Sequence, residues 1–127
     1  MLSFSGGRIF IAAGPTDMRK SFNSLAGIVS ERLGMDPMSR DIFLFCNRRK
    51  NRLKVLVYDE SGVWVLAKRL DRGTFAWPEA RTGRTSVEYG EEQLTLLLRG
   101  FDAQALEARP WRRRKHASSA QCSPVNA

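Results

Sequence analysis

The segment Cys46-Asn47-Arg48-Arg49-Lys50-Asn51-Arg52-Leu53-Lys54 constrains this chain more than any other. An apolar run, Ile42 to Cys46, lies on its left, and another, Leu53 to Tyr58, on its right. Two short β-favouring runs joined by a few polar residues predict a β-hairpin. The connection carries five cations, Arg48, Arg49, Lys50, Arg52 and Lys54, and the nearest acids are Asp41 and Asp59. So much like charge on one loop is unfavourable unless water, salt or an anionic partner screens it.

A chain of 127 residues has room for one domain with a real core. Its net charge of +8 argues for an anionic partner, and nucleic acid is the commoner one for a soluble basic domain. No run approaches the roughly 18 apolar residues of a membrane span, and the N-terminus shows no signal-peptide pattern. Cys46 falls in a predicted strand and Cys122 in a polar tail, a poor pair for a disulfide. A reducing cytoplasm, with no membrane partner, is the expectation.

Arg8 to Ala12 reads as a first strand, with a breaker at Gly14-Pro15. Thr16 suits a helix N-cap and Asp17 the first turn, where the helix dipole favours an acid. Met18, Phe22, Leu25, Val29 and Leu33 recur at helical spacing, so a helix is predicted over 17–33, closed by Gly34. Three strands follow, at about 41–46, 53–58 and 63–70, the last two joined by Asp59-Glu60-Ser61-Gly62. The fold class expected is α+β. It would hold a small antiparallel sheet, a three-stranded meander with one or two edge strands, an N-terminal helix on one face and a second, C-terminal helix.

If Tyr58 faces Val63, alternation sorts the sheet into two faces. Ile42, Leu44, Cys46, Leu53, Val55, Val57, Trp64 and Leu66 make the better core. The other face carries Phe43, Phe45, Leu56, Tyr58, Val63 and Val65, together with Arg52, Lys54 and Arg69 near the basic loop. Aromatics interleaved with cations suit a surface that touches phosphates and a base. The competing reading is that later segments cover the aromatics while the cationic stems reach out to water.

Phe75-Ala76-Trp77-Pro78 is expected to pack back on the sheet, residues 79–86 to form an exposed loop, and Ser86 to Tyr89 a short strand. A second helix starts at Glu91, with Leu94, Leu97, Leu98 and Phe101 inward. The domain therefore runs over 1–106. Residues 107–127, with Arg109, Arg112, Arg113, Arg114, Lys115 and no acid after Glu107, read as a disordered basic tail.

Catalytic constellations are missing. The one histidine, His116, lies in the tail, which leaves no histidine-based triad or general base. No phosphate-cradling glycine loop or dinucleotide fingerprint occurs. Asp59-Glu60 suit the turn, and Glu91-Glu92 the start of a helix. The expectation is a protein that is not an enzyme and has no cofactor, metal or small-molecule ligand.

One succession of motifs carries a resemblance. Gly14-Pro15-Thr16-Asp17-Met18-Arg19-Lys20-Ser21-Phe22 is followed by Asn47-Arg48-Arg49-Lys50-Asn51-Arg52-Leu53-Lys54. Then come Tyr58-Asp59, Gly62, Trp64, Lys68-Arg69-Leu70, Gly73, Phe75 and Trp77-Pro78. Over about residues 6–101 this resembles the TnpB-type accessory protein of the insertion-sequence-sixty-six family of bacterial transposable elements. It departs at Ala67, where a bulky aromatic is common, and in the tail from 109 on. The resemblance implies a protein that assists a separate, larger transposase. Two roles follow as expectations. One is DNA binding through Arg48, Arg49, Lys50, Arg52, Lys54 and Arg69 of the hairpin and Arg112, Arg113, Arg114 and Lys115 of the tail. The other is assembly, with the basic surface meeting the partner transposase.

Overall fold

The structure, a computed structural model, describes residues 7–101. Its elements in chain order are β1 (Ile9–Pro15), α1 (Phe22–Glu31), β2 (Ile42–Cys46), β3 (Arg52–Tyr58), β4 (Val63–Arg69), β5 (Ser86–Tyr89) and α2 (Glu91–Arg99). The five strands form one sheet in the order β4-β3-β2-β1-β5. The class is α+β, but the sheet is mixed and not all antiparallel. β1 runs parallel to β2, with Ile9 beside Ile42 and Ile11 beside Leu44, while the other three pairings are antiparallel. The reason lies in the connection. A helical segment between two apolar runs makes a crossover, and a crossover returns the chain parallel to its starting strand. β1 and β2 are also buried almost throughout, as parallel strands between two covered faces are.

The β3–β4 register sets Tyr58 against Val63, Val55 against Leu66 and Lys54 against Ala67. On one face Phe10, Phe43, Phe45 and Leu56 pack against Leu25, Val29 and Leu33 from α1 and its end. On the other, Ile9, Ile11, Ile42, Leu44, Leu53 and Val57 lie under Phe75, Trp77 and Leu97, with Leu94 and Leu98 partly buried beside them. The aromatic face is therefore core. Phe43 and Phe45 have 0% exposure and offer no ring to a base.

α1 starts at Phe22, five residues later than periodicity placed it, and Thr16 is not its cap. The Thr16 N–H is already bound to the Cys46 carbonyl at 2.7 Å, which extends the β1–β2 ladder past the point where a helix could begin. Ser21 holds the N-cap position, and its N–H donates to Ser24 Oγ at 3.0 Å. Asp17 serves the intervening loop instead of a helix dipole. It accepts from the Arg19 N–H at 2.9 Å and from the Arg19 guanidinium at 2.7 Å, and this partner holds its carboxyl down to about 2. Met18 packs on the core from that loop. In the second helix Phe101 departs from the expected inner face: it is 55% exposed and bridges Thr74 in backbone pairing. The residues expected to form the tail lie outside those described.

Candidate nucleic-acid interface

The β2–β3 turn is built around Asn47. Its Oδ1 accepts from the N–H groups of Asn51 and Arg52 at 3.0 and 3.1 Å, and its amide donates to Asn51 Oδ1 at 2.8 Å. Such side-chain mimicry of a backbone turn is what asparagine supplies at these positions. Lys50 sits at φ 62°, a left-handed conformation uncommon outside glycine, held by its N–H bond to the Asn47 carbonyl at 3.1 Å.

This turn is less free than a hairpin tip suggests. Phe75 N–H donates to the Lys50 carbonyl at 2.7 Å and Leu70 N–H to the Asn51 carbonyl at 2.9 Å. Lys50 Nζ reaches Glu79 at 2.6 Å, and the lysine beside it lowers the Glu79 carboxyl below its ordinary range. Lys50 is thus engaged with the molecule itself. Arg48 and Arg49 are exposed and make no ion pair among the described residues.

Arg52, Lys54 and Arg69 come together. They line an open groove of about 490 Å³ with Met18 and Lys68, and Asp71 is the one acid on its wall among the described residues. Arg52 stands directly opposite Arg69 across the β3–β4 pair. The bonds Leu70 N–H to Asn51 O and Asp59 N–H to Gly62 O, both 2.9 Å, set the alternation of this ladder. By it Arg52 and Arg69 form a non-hydrogen-bonded pair, the type whose side chains lie closer. Neither arginine has an acid partner among the described residues. Lys54 donates to the Lys20 carbonyl at 2.8 Å, fastening the loop before α1 to the groove floor. The expected site residues Arg112, Arg113, Arg114 and Lys115 lie outside the described residues.

Sequence reasoning missed how the motif segments converge. Gly14 N–H bonds the Pro78 carbonyl at 3.0 Å, and Trp77 Nε1 donates to the Ala12 carbonyl at 2.8 Å. Gly14, at φ +77°, would bring a Cβ to 3.0 Å from that of Ala80, so a side chain there would be strained and would press on this segment. The one available signal was the succession of motifs itself, because periodicity says nothing about which loops become neighbours.

Other candidate chemistry is occupied structurally. Asp59 Oδ1 accepts from the N–H groups of Ser61 and Gly62, each at 2.9 Å, and Oδ2 from Trp64 Nε1 at 2.7 Å. These bonds, that from Trp64 foremost, bring its carboxyl down to about 2. Glu60 pairs with Arg40 at 3.2 Å. Cys46 is buried, and burial pushes its thiol up to about 11, too high for a nucleophile at neutral pH. No helix among the described residues is long and apolar enough to cross a membrane.

Fold and site define a small α+β protein with an open cationic groove on one face of a mixed sheet. The chain belongs to the IS66 Orf2 like protein family, whose profile matches residues 7–108. That family suggests an accessory role in transposition, and its members are generally non-catalytic. The chain is similar to uncharacterized protein y4hO of Sinorhizobium fredii (strain NBRC 101917 / NGR234), 43% identical over 95 residues, 75% of this chain and 81% of that protein. It is also similar to uncharacterized protein y4jC of the same strain, 33% identical over 108 residues, 85% and 91% of the two chains. No solved structure matches.

Proposed function

We propose that this protein assists transposition by holding DNA through its phosphate backbone. Arg52, Lys54 and Arg69 form the seat, Arg48 and Arg49 extend it, and Arg112, Arg113, Arg114 and Lys115 add sequence-independent attraction. The observation that carries the reading is the Arg52–Arg69 pair, which has no acid partner among the described residues. Like charges directly opposite each other destabilise a sheet, and an anion between them reverses the sign. A phosphate accepts two parallel N–H bonds from a guanidinium. Among the described residues no aromatic side chain lines the groove, which favours contact with the backbone of DNA over stacked bases.

The test is a salt-titrated DNA-binding assay on a chain lacking residues 109–127, which removes the tail cations that would mask the groove. Replacing Arg52 and Arg69 with Ser should flatten the plot of log affinity against log salt by about two, at ~0.9 per phosphate neutralised. Replacing Arg48 and Arg49 should flatten it further. Lys50, paired with Glu79, should contribute least of the turn cations. An unchanged slope in a folded variant would move the cationic face to the other reading, contact with an acidic surface of the transposase. Co-purification with transposase in the absence of DNA, lost on the same substitutions, would then be its signature.

A further inference from the structure

β4 is the last strand on its side of the sheet, and among the described residues nothing pairs with its outer edge. Sheets usually blunt such an edge with proline, a bulge, a short strand, charged side chains such as lysine, or a covering helix or loop. β4 has none of these over most of its length. It runs seven residues without proline, and its register with β3 is unbroken from Val63 to Arg69. Charge is confined to its last two residues. At its start Val63 and Trp64 are 38% and 45% exposed, the indole held in place by Asp59.

We propose that this edge pairs with the same edge of a second copy, antiparallel and centred on Leu66. The ladder alternation described above turns the N–H and C=O groups of Trp64, Leu66 and Lys68 toward β3. Those of Val63, Val65, Ala67 and Arg69 therefore point outward. A closed two-fold dimer that joins two identical edges must run them antiparallel. Centring on Leu66 sets Val63 against the partner's Arg69 and Val65 against the partner's Ala67. Each of these is an outward pair able to exchange two backbone bonds.

Charge rules out registers centred on the end of the strand. Centring near the end of the strand would set Lys68 and Arg69 against their own copies, which is unfavourable. Centring on Leu66 sets the exposed Trp64 against the aliphatic stem of the partner's Lys68, whose Nζ donates to its own chain's Leu98 carbonyl at 2.6 Å, and Leu66 against the partner's Leu66. Leu66 already packs on the core beneath α2, so the contact continues that core across the two-fold axis. The pairing stands independently of the DNA reading. It places both cationic grooves on the same face of a ten-stranded sheet. Arg69 and its counterpart would then lie six residues apart in register, about 20 Å along the strands.

The test measures the oligomeric state of the full chain by sedimentation equilibrium, with three variants. The wild type should be a dimer. Ala67→Pro removes an outward N–H and leaves the β3 ladder intact, a position where an edge strand tolerates proline. It should give a monomer with unchanged far-UV circular dichroism. Val63 is exposed, so two further substitutions there keep the test open if the proline variant misfolds. Val63→Glu, set against the partner's Arg69, should tighten the dimer, and Val63→Lys should loosen it. Each two-fold-related pair counts twice, so dissociation constants should move by about 2- to 30-fold in opposite directions. A wild-type monomer at the highest soluble concentration would overturn the proposal. So would a dimer unaffected by a folded Ala67→Pro chain, or Val63 variants that shift together. A monomer whose β4 edge pairs only with a strand of another protein would overturn it too.

Discussion

Reversing the charge of Arg69 should make the protein more stable and a worse DNA binder. Arg52 and Arg69 face each other in a non-hydrogen-bonded pair, whose Cα atoms sit about 4.5 Å apart. Splayed to about 7 Å, two guanidinium charges in water repel by roughly 0.6 kcal/mol. At 0.15 M salt, with a Debye length of about 8 Å, some 0.25 kcal/mol of that remains. Arg69→Glu turns the repulsion into attraction, so the swing is about 1 kcal/mol at 10 mM salt and about half that at 0.15 M. Glutamate is a poorer strand residue than most, so the effect must be separated from propensity. Urea unfolding of Arg69→Glu in wild-type and Arg52→Gln backgrounds, at fixed protein concentration, closes a double-mutant cycle that cancels it. The coupling should be stabilising, and it should shrink as salt rises. The same substitution should weaken DNA binding and reduce its salt slope. A coupling of zero at 10 mM salt would mean that the two side chains do not oppose each other, and the argument for an anion between them would fall.

Three further outcomes are expected. Trp77→Phe should lower stability by about 1–3 kcal/mol in urea unfolding, because the buried Ala12 carbonyl loses its indole donor. Asp59 titrates at about 2 when folded against 3.8 unperturbed, so the stability it contributes is present above the unfolded value and lost as pH falls through the folded one. Melting temperature should drop between about pH 4 and pH 2, and Asp59→Asn should flatten that drop. Thr16→Val should leave stability unchanged or slightly raised in thermal melts: the Thr16 hydroxyl is buried and has no hydrogen-bond partner among the described residues, whereas a capping threonine would cost about 1 kcal/mol on removal.

The parts legible in the sequence were those set by local chemistry. Alternation along Leu53–Tyr58 and Val63–Arg69, with an acidic, glycine-ended turn between them, gives the pairing of Tyr58 with Val63. The spacing of Leu25 and Val29 marks the buried side of α1, whereas Phe22 of the same predicted stripe is 50% exposed at the helix start and Leu33 packs from beyond the helix end. Arg52 and Arg69 were placed on one face by the same alternation, and they do line one groove. The errors came from tertiary pairing. Thr16-Asp17 has the composition of a helix start, but the ladder reaching Thr16 from Cys46 outweighs a capping preference of about 1 kcal/mol. The parallel pairing of β1 with β2 was hidden because a strand's neighbour is not encoded in its periodicity. The covering of Phe43 and Phe45 could have been chosen from two open readings only by knowing which helix lies on which side. Lys50 looked equivalent to Arg48 and Arg49 until the fold brought Glu79 alongside it.

The convergence of the motif segments separates residues that present charge from residues that aim it. β1 and β2 are parallel, so the loops leaving their carboxyl ends, Thr16–Lys20 and Asn47–Asn51, emerge on the same rim of the sheet. Phe75–Glu79 crosses that rim and is tied to both: to the first strand through Gly14–Pro78 and Trp77–Ala12, and to the turn through Phe75–Lys50 and Glu79–Lys50. Lys54 joins the first loop to β3 through the Lys20 carbonyl. Every tie but the Lys50–Glu79 ion pair uses a backbone group, and Lys54, though it lines the groove, is itself one of the ties. Arg48, Arg49, Arg52 and Arg69 do the opposite, projecting from this frame with no ion pair among the described residues. Motif residues of the first kind therefore act on any partner only through the position of the second kind. Holding a groove still before the partner arrives lowers the ordering cost of binding, a role that suits motif loops whose contacts are made within the molecule, the Asp17–Arg19 and Lys50–Glu79 pairs included.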